Sequence, residues 1–182
     1  PGASFAGQQD TFLWIRGIDG ILTNVKKCWS SLFTSRAIYY RTKMGFSHEQ
    51  VEISVGVQKM ANAWTAGVMF TLNPATGDQS TIAIDANFGF GESVVSGECT
   101  PDNFIINKIT DEIIRKSISH KTILYTRDPE NHCVIKQDVP AERADIQCVV
   151  DKDAIALARI GKRIEKHYGK PMDIEWALDK DS

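Results

Sequence analysis

The sequence predicts an α+β fold, and three observations carry that reading. Helical periodicity is confined to the first fifty residues and one late segment. Period-two alternation marks most of the remainder, and the strand-like runs follow one another with few helices between them. The 182 residues suffice for one generous domain or two small lobes. A content of 42% hydrophobic residues allows a sizeable core, and 24% charged residues is ordinary for a globular surface.

Taken in order, Ile18, Leu22, Val25, Trp29 and Leu32 recur at steps of four and three, which predicts an amphipathic helix with Trp29 in the core. A second helix, about Ser35 to Met44, is expected to stop at Gly45, since glycine tolerates the left-handed cap. From Val51 the period changes: Val51, Ile53, Val55 and Val57 alternate with polar or small residues, which predicts a strand. Gly67 to Leu72 reads as another, closed by the turn Asn73-Pro74-Ala75-Thr76-Gly77. Trp64 falls in the polar turn after Met60. Thr81 to Ala86 is a third strand, followed by the glycine-punctuated loop Asn87-Phe88-Gly89-Phe90-Gly91-Glu92. Phe104–Ile106, Glu112–Ser119, Thr122–Thr126 and Cys133–Gln137 read as short strands of a meander. Asp151 or Asp153 can cap a helix carrying Ile155, Ala158, Ile160 and Ile164 and ending at Gly169. Pro171 marks the break, and Met172 to Leu178 is the final strand, with Trp176 on its apolar face. The seam between helices and sheet falls between Ser47 and Val57. It divides the chain into a helical part over 1–50 and a mixed-sheet lobe over 51–182.

Charge and composition exclude several classes. A formal net charge of −2 leaves no footprint for nucleic acid or a membrane surface. No apolar run approaches the roughly 18 residues of a spanning helix. Cys28, Cys99, Cys133 and Cys148 lack the spacings of a zinc site or a disulfide framework, which favours a reduced, cytoplasmic setting. His48, His120, His132 and His167 are unclustered and read as surface residues.

The final strand carries the first candidate chemistry. Alternation puts Ile174, Trp176 and Leu178 on one face and Asp173, Glu175 and Asp179 on the other. Carboxylates two residues apart on a strand stand about 7 Å apart, and their oxygens can turn toward one ion. Magnesium takes such hard oxygen donors, usually one or two carboxylates plus phosphate oxygens. The same alternation also describes a strand with a wet face. Near the start, Ser4-Phe5-Ala6-Gly7-Gln8-Gln9-Asp10-Thr11 could let backbone N–H groups approach a phosphate at Gly7, with Thr11 adding a hydroxyl. It could equally be an ordinary loop. Gln58-Lys59-Met60 offers a backbone edge for an adenine and, in Met60, a side chain to pack on its face; core or surface roles are open for both. Gly89 and Gly91 fit a turn or bulge better than a dinucleotide fingerprint.

Five segments, in order, resemble the ATP-binding domain of phosphoenolpyruvate synthases and pyruvate, phosphate dikinases, whose relatives include rifampicin phosphotransferases and phenylphosphate synthases. They are Ala3–Thr11, Ser35–Arg41, Val57–Met60 with Gly67–Thr71, Asn87–Gly97 with Thr100–Asp102, and Asp173–Ala177. The resemblance implies an ATP-grasp-like fold, incomplete at the N-terminal side. It implies that Gly7 and Thr11 contact phosphates, that Gln58 sits at the adenine hinge, and that Glu175 ligates Mg²⁺ with Asp173 as its helper. It further implies that ATP gives its β-phosphoryl group to a histidine on a separate swivelling domain, for delivery to a small acceptor such as pyruvate or a phenol. The family's phosphate-clamping lysine and arginine are expected upstream of Pro1, and a glutamine and an arginine beyond Ser182. This stretch by itself is therefore expected to bind ATP weakly and not to turn over. A non-catalytic nucleotide-binding regulatory or structural module is the alternative reading.

Overall fold

The computed structural model describes residues 9–131 and 133–180. The chain forms two compact units, one of Pro1–Met60 with Pro129–Cys133 and the other of Ala61–Asp128 with Val134–Ser182.

In the first unit α1 spans Gly17–Ser30, a 3₁₀ turn covers Ser31–Phe33, and α2 spans Ser35–Met44. The Thr34 hydroxyl accepts from the Ala37 N–H at the start of α2. Gly45 ends the helix in the left-handed region at φ 74°, as the sequence predicts. His48 is exposed, but its Nδ1 accepts from Nε of the buried Arg41 at 3.0 Å. Two expectations fail here. Ile18, Leu22 and Trp29 are 68%, 52% and 51% exposed while Val25 and Leu32 are half-buried, so the periodic stripe is only partly covered by the described residues, and Trp29 is not a core residue. Val51–Val57 is not a strand: Val51, Ile53 and Val55 are half-buried and their neighbours exposed, but the segment has no ladder partner among the described residues. Alternation records a two-sided environment, and a strand also needs a neighbour for its N–H and C=O groups.

The second unit opens with β1 (Ala63–Phe70) and β2 (Thr81–Phe88), then a short helix α3 (Glu92–Val95). The strands β3 (Asp102–Asn107), β4 (Ile113–Ser117), β5 (Ile123–Arg127) and β6 (Val134–Asp138) follow. The chain then runs through α4 (Ala141–Ala144), α5 (Asp151–Tyr168) and β7 (Asp173–Asp179). Five strands form one antiparallel sheet in the order β4-β3-β2-β1-β7. The expected meander is broken, because β5 and β6 form a separate two-stranded hairpin, joined to the rest by single bridges from Tyr125 to Gly89 and Phe90. Trp64 lies inside β1 and not in a turn. α5 starts after Val150 without a side-chain cap, and Asp151 instead binds the Lys116 ammonium at 2.7 Å. Helices and antiparallel strands in separate runs make the class α+β, as predicted.

One face of the sheet holds the core. Met69, Ile82, Ile84, Phe104 and Ile106 are buried there, with Ile174, Trp176 and Leu178 of β7 packed beside them. Ala154, Leu157 and Ala158 of α5 close over this face. The helix comes close because Gly161 has no side chain: a Cβ there would stand 2.9 Å from the Met69 sulfur. Ile160, expected on the apolar stripe, is 46% exposed.

The β2–α3 junction is pinned by a side chain. Asn87 is fully buried, and its Nδ2 donates to the Ser93 hydroxyl and to the Ile123 carbonyl, both at 2.8 Å. Its Oδ1 accepts from the Phe88 N–H, while the Thr65 hydroxyl donates to its carbonyl at 2.7 Å. Gly89 follows at φ 75°, where a Cβ would lie 2.1 Å from the Tyr125 carbonyl oxygen. The glycine loop is therefore a structural corner, as the sequence suggests for Gly89. Replacing Asn87 with Ala leaves buried partners without a donor, and we expect a loss of about 3 kcal/mol, read from the urea midpoint. Beside the corner, the Arg143 guanidinium stands 4.2 Å from the centre of the Trp64 ring and 4.0 Å from that of Phe88. Trp64 and Phe88 meet edge to face at 6.1 Å.

Candidate functional site

The sheet face opposite α5 carries an open groove of about 730 Å³. Strand alternation decides what it shows. Val68 and Phe70 of β1 point away from the core, and the ladder sets Glu175 beside Val68 and Asp173 beside Phe70. On the other side of Val68 the partner is Asp85 of β2. All five residues line the groove, and Val94, Val95, Gly97, Cys99 and Pro101 build its wall. Two strand spacings separate Glu175 from Asp85, about 10 Å between Cα atoms.

Asp173 and Glu175 are exposed and have no ion-pair or hydrogen-bond partner among the described residues. Asp179, expected on the same face, is half-buried, and its Oδ2 accepts from the Asn62 N–H at 3.0 Å. Asp85 is half-buried and accepts from Asn103 Nδ2 at 2.7 Å; the side-chain Oδ1 of Asn103 in turn accepts from the Arg115 guanidinium at 3.3 Å. Asp85 was not singled out from sequence. Its signal was a lone carboxylate inside the apolar strand Thr81-Ile82-Ala83-Ile84-Asp85-Ala86, where an acidic side chain is rarely placed without a partner.

The wall has its own electrostatics. The Cys99 thiol is held above the usual range chiefly by burial, which disfavours the thiolate. Glu98 is held below the usual carboxylate range by the hydrogen bond from the Lys136 ammonium. The Tyr125 hydroxyl also donates to Glu98, at 3.2 Å, so the loop after α3 is tied to the β5–β6 hairpin.

Of the other residues marked in the sequence, Thr11 and Gln58 are exposed and Met60 is half-buried; all three belong to the first unit. Gly7 lies outside the described residues. The structure brings Asp173 and Glu175 together on β7, as alternation predicts.

The donor set suits a hard divalent cation that takes its remaining ligands elsewhere. Three carboxylates face the groove, none paired with a protein cation among the described residues and only Asp85 held by a hydrogen bond, from the Asn103 amide, which is the chemistry magnesium prefers. Among the described residues no three His, Cys, Asp or Glu converge into a complete metal cage. An ion there would complete its shell with water or phosphate oxygens, as magnesium does at nucleotide sites.

Residues 1–182 match the family model described as the pyruvate phosphate dikinase AMP/ATP-binding domain, so this is a nucleotide-binding domain. The chain belongs to the pyruvate phosphate dikinase family. It is 46% identical to the phosphoenolpyruvate synthase of Pyrococcus furiosus, an alignment covering 100% of this chain and 23% of that protein. It is 48% identical to a probable phosphoenolpyruvate synthase of Methanocaldococcus jannaschii, over 99% of this chain and 15% of that one. It is 44% identical to the rifampicin phosphotransferase of Bacillus subtilis, over 100% of this chain and 21% of that one. The chain thus spans less than a quarter of the length of these relatives. Among the described residues no helix is long and apolar enough to cross a membrane.

Proposed function

We propose that this chain is the ATP-holding part of a cytoplasmic phosphotransferase of ATP-grasp-like architecture. It would pass the β-phosphoryl group of ATP to a histidine on a swivelling domain of the same protein or a partner subunit. The histidine then delivers the group to a small acceptor such as pyruvate or a phenol. ATP leaves as AMP plus phosphate when water takes the γ-phosphoryl group, or as AMP plus pyrophosphate when inorganic phosphate takes it.

The observation that carries this reading is the acidic groove on β1, β2 and β7, in a chain whose family binds AMP or ATP. A polyphosphate laid against Asp85, Asp173 and Glu175 is repelled unless positive charge stands between them, because like charges at a few ångströms cost several kcal/mol near a protein surface. Glu175, with Asp173 beside it, would hold Mg²⁺, and the ion when bound supplies the neutralising charge. On this reading Gly7 and Thr11 contact the phosphates, Gln58 pairs with the adenine edge, and Met60 packs on its face. The division into a helical part over 1–50 and a mixed-sheet lobe over 51–182 belongs to the same proposal. Phosphoryl transfer asks little covalent work of a protein beyond alignment and charge compensation, and this chain's part is to hold and orient the nucleotide.

The test is to supply the full-length protein with ATP labelled at the β- or the γ-phosphorus. Acid-labile, base-stable label is expected on the protein from the β-position alone, with AMP formed. Label from the γ-position with ADP as product would reject the assignment.

A further inference from the structure

Behind the groove wall lies an ion pair with no part in the site described so far. Lys121 and Asp102 are both fully buried, with their charged ends 2.7 Å apart. Both carboxylate oxygens of Asp102 are committed. Oδ1 accepts from the Lys121 ammonium and from the Ser119 N–H at 3.0 Å, and Oδ2 accepts from the Cys148 N–H at 2.9 Å. Lys121 donates again to the Ser119 carbonyl at 2.9 Å and stands 5.7 Å from the centre of the Phe88 ring. The Ser119 hydroxyl reaches across to the Thr100 carbonyl at 2.5 Å.

Burying two charges is a poor route to stability, since apolar residues of similar volume often serve as well or better. What the pair supplies is direction. It fixes the first residue of β3 against the core, and alternation then turns the next residue, Asn103, toward the groove. There Asn103 donates to Asp85. Pro101, one residue before Asp102, lines both the groove and its continuation past Thr100, Asn103 and Arg115. The same anchor therefore sets the wall and, through Asn103, one of the three carboxylates.

We infer that Lys121, Asp102 and Ser119 are positioning residues that hold the Thr100–Asn103 wall and Asp85 in the arrangement that receives the nucleotide. This rests on the proposal that the groove binds Mg·ATP. The test uses the full-length protein and calorimetric titration with Mg·ATP, well below the unfolding temperature of each variant. Lys121→Met is expected to weaken binding about tenfold while near-UV circular dichroism stays native. Ser119→Ala keeps the ion pair but frees the Thr100 carbonyl, so it is expected to weaken binding about threefold with little change in unfolding temperature. A purely architectural pair would lower the unfolding temperature of Lys121→Met and leave the affinity of the folded protein unchanged. If Lys121→Met does not fold, Ser119→Ala decides alone. Glu175→Gln is the control. Weakened binding in Glu175→Gln with unchanged binding in the positioning variants overturns this inference and leaves the nucleotide site standing. Unchanged binding in Glu175→Gln removes the nucleotide site itself.

Discussion

Replacing Glu175 with Gln in the full-length protein is expected to lower phosphoryl transfer by about 100-fold or more, with the dependence on Mg²⁺ shifted to higher concentration. The magnitude follows from metal sites in general, where loss even of an outer partner costs about 10- to 100-fold in affinity or activity. Glu175 is the longer of the two exposed carboxylates on β7, and the register centres it in the groove beside Val68 and across from Asp85. The substitution keeps the volume but removes the charge and turns one acceptor oxygen into an NH₂ donor, which cannot ligate a hard cation. The side chain is exposed, so the fold has no reason to change with it. AMP formation followed against Mg²⁺ concentration is the measurement. Unchanged turnover would mean that the acidic face of β7 is only a solvated surface.

The second large effect is on stability. Gly67 sits mid-strand in β1, opposite Ala86 on one side and Trp176 on the other. A Cβ at that position would stand 1.9 Å from the Asp85 carbonyl oxygen, an atom held in the sheet and unable to rotate away. Gly67→Ala is therefore expected to cost about 4 kcal/mol, among the larger effects of a single substitution, and a sizeable share of the stability of an ordinary domain. Gly77→Ala makes the contrast. Its φ is 75°, but nothing lies within 4 Å of the added carbon, so only the left-handed strain of about 1 kcal/mol is due. Urea unfolding of the two variants separates steric contact from backbone preference. A Gly67→Ala midpoint as mild as that of Gly77→Ala would show that the strands can part at no great cost.

The sequence carried the local structure well wherever a single stretch decides its own conformation. α2 ends at Gly45 and α5 at Gly169, both in the left-handed region, because that cap depends on one residue. β7 alternates as read, which put Asp173 and Glu175 on the open face. The misreadings concern partners. Val51–Val57 has the period of a strand and no neighbour to pair with among the described residues, and Trp29 belongs to a helical stripe that the described residues cover only in part. β5 and β6 have ordinary strand composition, yet they leave the main sheet for a hairpin of their own, held at the Asn87–Phe90 corner, where the Asn87 amide takes the Ile123 carbonyl and the Phe90 N–H takes that of Tyr125. Asp85 escaped notice for a related reason. Its place in the groove depends on the register of β1 against two neighbours, which no window of sequence contains. The fully buried charges of Lys121 and Asp102 were equally hidden, being nineteen positions apart in sequence.

The stacking of Arg143 on Trp64 gives the molecule a built-in optical gauge. An indole emits according to the electric field across its ring, and here a guanidinium sits 4.2 Å from the ring centre with the Lys180 ammonium 5.9 Å away. In a protein whose other three tryptophans, Trp14, Trp29 and Trp176, are replaced by phenylalanine, the colour of the remaining fluorescence would come from Trp64 alone. Because Phe88 shares the same guanidinium, a shift of α4 relative to the ends of β1 and β2 would register as a change in emission wavelength, with no dye attached.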